Sequence, residues 1–156
     1  MRTYTFPFIT LAVFLLSQAP LLAVRDSAME SFSSPAIGKD SADYSDASAE
    51  GTHFIALIDQ QQYRSAWNDA GPILRELVSV DIWSEGVRLI REPLGSTTSR
   101  KLVSHEQLAS IPGGLSGSFY RIHYRAQFYD VGSKEETLLL MDEGLGKWRV
   151  ISYSIN

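Results

Sequence analysis

The chain has 156 residues, no cysteine and a formal charge of −4. Its length suits one ordinary domain, and the lack of thiols excludes disulfides, thiolate metal sites, thiol nucleophiles and a lipidated cysteine. The charge is uneven. Residues 26–50 hold six carboxylates against Lys39, whereas residues 51–156 hold 11 Lys and Arg against 12 Asp and Glu, so the domain itself is nearly neutral and offers no electrostatic case for nucleic acid.

Residues 1–23 read as a signal peptide: Arg2 opens a short basic region, Phe6 to Leu16 are strongly apolar, and small residues follow from Ser17 to Ala23. This pattern places the protein in the periplasm or outside the cell. The cleavage site is weak, because Pro20 disfavours a cut after Ala19 and Leu21 stands where a small residue is preferred for a cut near Ala23. The alternative is an uncleaved inner-membrane anchor over residues 4–24, which just reaches the roughly 20 apolar residues that a span requires.

Residues 24–51 are dominated by Ser, Ala, Asp and Glu. Such composition buries too little apolar surface to offset the entropy of ordering, so the expectation is a flexible acidic spacer that adds little stability. Phe32 or Tyr44 offers a partner-binding tail as the alternative.

The domain is expected over residues 52–156. Thr52 to Ala70 has neither Gly nor Pro and predicts one long helix ending at Gly71-Pro72. Ile73, Leu74, Leu77 and Val78 predict a short second helix. Ser79 is a candidate N-cap for a third, with Asp81 in its first turn and Trp83, Val87 and Ile90 as its buried stripe. Arg91-Glu92-Pro93-Leu94-Gly95 then closes the helical half, since proline lacks a backbone N–H and biases Glu92 away from helical angles.

Beyond Gly95 the period becomes two. Strands are expected at Arg100–Ile111, interrupted or followed by a loop around Glu106 to Pro112, and at Phe119–Tyr129, Glu136–Met141 and Lys147–Ile155, separated by Gly-rich turns. In the second, Tyr120, Ile122, Tyr124, Ala126 and Phe128 alternate with Arg121, His123, Arg125 and Gln127, the mark of a half-buried strand. The fold class is therefore α+β, with N-terminal helices packed on a four-stranded antiparallel meander in a cystatin-like or nuclear-transport-factor-like layout.

Asp59-x-x-x-Tyr63-x-x-x-Trp67, Arg91 to Gly95, Ser99-Arg100-Lys101-Leu102, Ile111-Pro112-Gly113, Gly117-Ser118-Phe119-Tyr120, Glu136-Thr137 and Lys147 to Tyr153 occur in an order that resembles DUF4019, a bacterial family of domains of unknown function. The resemblance runs from about Phe54 to Ile155. It implies a small exported domain and brings no established activity.

Two constellations are candidate sites. Asp59 and Tyr63 share a helix stripe with Trp67, and in a pocket Asp59 abstracts a proton while Tyr63 stabilises an oxyanion, with His123 as a third catalytic candidate. The structural alternative is aromatic core packing. On the polar strand face, Arg121, His123 and Arg125, joined by Arg100, Lys101 and Arg149 if the register allows, suit a small anionic ligand such as a carboxylate, phosphate or acidic headgroup. The plainer reading is a solvated face partly neutralised by Glu135 and Glu136. Arg91 and Arg100 bracket the helix-to-strand corner and are expected to lock it through Glu92, Asp81 or backbone carbonyls.

His53, His105 and His123 have no metal-ligand spacing, so neither a metal nor a cofactor is implied. Gly114 to Ser118 departs from the G-x-S-x-G elbow at its last position, and Gly144 to Lys147 lacks the helix of a phosphate loop. The expected function is a non-catalytic binding or accessory module of the cell envelope, taking a protein partner or small anionic ligand. The alternative is a pocket enzyme with acid/base chemistry at Asp59 and Tyr63.

Overall fold

A computed structural model describes residues 37–156. The expected signal peptide and the first part of the expected spacer lie outside the described residues. The element order is α1 (Ile37–Asp59), α2 (Tyr63–Asp69), α3 (Pro72–Leu77), α4 (Val80–Arg91), a 3-10 turn (Glu92–Leu94), then β1 (Thr97–Ile111), β2 (Leu115–Phe128), β3 (Gly132–Asp142) and β4 (Trp148–Ile155). The strands form one antiparallel sheet in the order β1-β2-β3-β4, so the chain is an α+β domain with N-terminal helices and a four-stranded antiparallel sheet.

The first helix begins well before the expected boundary. Residues 37–51, read from composition as flexible spacer, belong to α1. Tyr44, Ala47, Gly51, Phe54, Ile55 and Ile58 recur at helical spacing along its buried side. Ala47 is fully buried, and the Tyr44 ring stacks on His105 with centroids 3.7 Å apart. Gly51 permits the close approach: a Cβ there would lie 3.0 Å from Leu138 Cδ1. Few apolar side chains suffice because the sheet supplies the opposing surface.

The single helix expected over residues 52–70 is instead two. Gln61 adopts φ 60°, the Gln62 N–H donates to the Leu57 carbonyl at 2.8 Å, and the Gln61 N–H donates to the Ile58 carbonyl at 3.0 Å. This pair of bonds is a Schellman ending, with glutamine in the left-handed position usually held by glycine. No sequence breaker announces it.

In α4, Trp83, Val87 and Arg91 are buried, whereas Ile90 is 44% exposed. The stripe thus runs strictly at i+4, and arginine takes the inward place expected of isoleucine. The corner beyond it turns at Gly95, whose φ of 74° and ψ of −165° suit glycine alone. Asp130 packs where a Cβ would project.

The core lies between α1, α4 and the inner sheet face, around Phe54, Ile58, Trp83, Ile122, Leu138 and Val150. The alternation expected in β2 is present, with Tyr120, Ile122, Ala126 and Phe128 buried. β4 keeps its inner face through a register shift opposite Leu139 and Leu140. Ile151 is the extra residue, so Trp148 and Val150 before it and Tyr153 after it all face the helices.

Candidate functional site

Asp59 ends α1, where the helix dipole disfavours a carboxylate. Two guanidiniums offset that cost. Arg91, the last residue of α4, donates from Nη2 to Asp59 Oδ1 at 2.7 Å. Arg100 of β1 donates from Nη1 to Oδ2 at 2.8 Å and from Nη2 to Oδ1 at 3.1 Å. The Thr97 hydroxyl adds a bond to Oδ1 at 2.9 Å. Arg100 also reaches Glu136 on β3, with Nε 2.5 Å from Oε2 and Nη2 3.3 Å from Oε1, and the Tyr153 hydroxyl donates to Oε1 at 2.9 Å. Glu136 is fully buried.

Two guanidiniums therefore balance two carboxylates at the junction of α1, α4 and the sheet. The Arg91 guanidinium lies 4.5 Å from the centre of the Phe128 ring. That aromatic face compensates in part for Arg91 Nε and Nη1, which are buried without a hydrogen-bond partner among the described residues. Burial alone would raise the Asp59 pKa, but the hydrogen bond and charge of Arg100, the Thr97 hydroxyl and Arg91 together hold it below the ordinary value. Burial, reinforced by the adjoining Glu136, pushes the Tyr153 hydroxyl well above its ordinary value. Asp59 is a carboxylate anchor whose two oxygens are both engaged by guanidiniums, an arrangement unlike that of a general base.

The three catalytic candidates do not converge. Asp59 closes α1 and Tyr63 opens α2 across the Gln60–Gln62 break. Tyr63 is 8% exposed in the core, and burial raises its pKa. His123 lies on the opposite face of the sheet, with Nδ1 3.0 Å from Thr137 Oγ1. Arg91 and Arg100 do lock the corner, but through Asp59 and Glu136. The partners expected for them are used elsewhere: Glu92 pairs with Arg88, and Asp81 with Arg64.

Register also redistributes the basic cluster. Arg121, His123 and Arg125 share the outer sheet face, and Lys101 joins them opposite Arg125. Arg121 donates to Glu106 at 2.6 Å and Arg125 to Glu135 at 3.0 Å. Arg100 points to the inner face, and Arg149 pairs with Glu50 of α1 at 3.1 Å. Glu136, expected to neutralise the outer face, stands opposite Tyr124 on the inner one. Its alternation with buried Leu138 and Leu140 is the sequence signal that marks this.

Two open cavities flank the helices. One of about 420 Å³ is lined by Asp46, Glu50, Lys147, Trp148 and Arg149. The other, of about 290 Å³, lies between α2 and α4 beside Tyr63, Arg64, Ser84 and Arg88. His53 pairs with Asp69, and among the described residues no group of three or more His, Asp or Glu side chains is placed to hold a metal. Among them, too, no helix is long and apolar enough to cross a membrane.

Helices on one face of a four-stranded antiparallel meander, cross-linked by a part-buried ion-pair network, define a small α+β domain. Its sequence places it more closely: the chain belongs to the family described as protein of unknown function (DUF4019), which matches residues 50–153. A comparison with curated proteins finds no match.

Proposed function

We propose that this protein is an exported, non-catalytic binding or accessory domain of the cell envelope, and that the outer sheet face takes a ligand bearing carboxylate or phosphate. One observation carries the reading. Arg121 and Arg125 project from the same face on either side of His123, and among the described residues each makes a single side-chain hydrogen bond, to a carboxylate, which leaves further guanidinium donors for a planar anion. Lys101 adds a further charge beside Arg125. By contrast, both oxygens of Asp59 are already engaged by Arg91, Arg100 and Thr97. Export is supported by the basic start, apolar run and small residues of the first 23 positions. The helices-then-meander order favours a cystatin-like or nuclear-transport-factor-like layout.

Titration calorimetry with inorganic phosphate and with a dicarboxylate tests this reading. Arg121→Ala and Arg125→Ala are each expected to weaken binding by about tenfold or more, the scale of a lost charged hydrogen bond, and Tyr63→Phe to leave it unchanged. Binding that ignores both arginines but depends on Tyr63 overturns the reading in favour of the pocket.

A further inference from the structure

The two edges of the sheet are finished differently. The β4 side is met by the chain itself, where the Gly71 N–H donates to the Val150 carbonyl at 2.8 Å. β1 is the opposite edge and, at 15 residues, the longest strand. No described strand pairs with its outer side, and at its middle Leu102 and Val103 are 47% and 52% exposed. A long uncovered edge with apolar side chains is a template for further strand pairing.

The registers say which strand fits. β1 shifts register between Leu102 and Ser104, leaving Val103 without an opposite number on β2. On either side of this bulge, Lys101 faces Arg125 and Glu106 faces Arg121, both on the outer sheet face; Leu102 faces Tyr124 and His105 faces Ile122, both on the inner face. β2 is regular between Arg121 and Arg125. These two residues therefore direct their backbone groups to the same neighbour, and Lys101 and Glu106 share one hydrogen-bonding sense.

Turning β1 about the Val103–Ser104 bond thus matches face with face and hydrogen-bonding sense with hydrogen-bonding sense. It sets Lys101 opposite Glu106 and Leu102 opposite His105, each twice by symmetry. The charges agree as well. Lys101 has no ion-pair partner among the described residues, whereas Glu106 engages Arg121 through Oε1 only. In that pairing Leu102 falls opposite a His105 whose ring is stacked on Tyr44. A strand that complements itself in register, charge and polarity points to another copy of itself.

We propose that a second copy of this chain docks antiparallel along β1, forming a two-fold dimer with one continuous sheet and reciprocal Lys101–Glu106 pairs. This inference does not rest on the anion-binding reading. Sedimentation velocity on the protein as isolated tests it. The wild type is expected to be a dimer, Lys101→Glu and Glu106→Lys each to weaken association at least tenfold, and the double reversal to restore it. Lys101 is exposed and has no ion-pair partner among the described residues, so its reversal leaves the fold intact, as circular dichroism will verify. A wild-type monomer at every accessible concentration overturns the proposal. So does a dimer indifferent to both single reversals, or a double reversal that fails to recover association.

Discussion

Arg100 reaches from β1 across β2 to Glu136 on β3, closing to 2.5 Å on a carboxylate that has no exposure to solvent. Ala126 stands directly opposite Arg100 on the intervening strand, and its single methyl leaves the guanidinium room to pass. The same guanidinium holds Asp59, so one side chain ties the end of α1 to β1 and β3.

Removing one member of this network exposes its cost. Glu136→Ala leaves Arg100 with Asp59 alone and the Tyr153 hydroxyl without its acceptor beside a cavity, and an expected loss of about 3–5 kcal/mol follows from breaking a buried pair. Replacing both partners with apolar groups, Arg100→Met with Glu136→Leu, is expected to cost less than the sum of the two single changes, because neither charge is then left alone. Urea denaturation of the two singles and the double gives the coupling directly.

Acid should reach the protein through Asp59. Its carboxyl is held below the ordinary 3.8, so the unfolded chain takes up the proton first. The stabilisation is fully present above that ordinary value and is lost as pH falls through the lowered one. Glu50 acts in the opposite sense: burial, outweighing Arg149, raises its pKa above 4.5, and stability falls as pH climbs through the interval just above that value. Urea midpoints measured between about pH 3 and 6, the range where carboxylates titrate, are expected to show a flatter acid limb in Asp59→Asn. The decline at the upper end should disappear in Glu50→Gln.

The acidic segment ahead of the family match is part of the fold. Deleting Ala42 to Ala49 removes fully buried Ala47 and the Tyr44 ring that stacks on His105 and tilts against Tyr120. The expected loss is at least about 2 kcal/mol, the lower range for emptying a packed apolar site. Thermal unfolding of the deletion variant checks it, and an unchanged midpoint would show that this part of α1 adds nothing to stability.

Features that depend on neighbours along the chain were legible in the amino-acid sequence itself. Pro93 and Gly95 set the corner because their backbone preferences are their own. The alternation from Tyr120 to Phe128 declared both faces of β2, and with them the shared face of Arg121, His123 and Arg125. What escaped was whatever depended on a distant partner. The spacer-like residues 37–51 become helical because the sheet covers Tyr44 and Ala47. The helix break at Gln61 relies on a left-handed residue that is not glycine. The inward turn of Glu136 and the pairing of Arg91 and Arg100 with Asp59 follow from strand register, since a shift of one residue reverses every side chain on a strand. Local sequence determined the elements and their two-faced patterns; only tertiary contact decided which charges meet inside the domain, because the low dielectric that makes those pairs obligatory exists only once the core has closed.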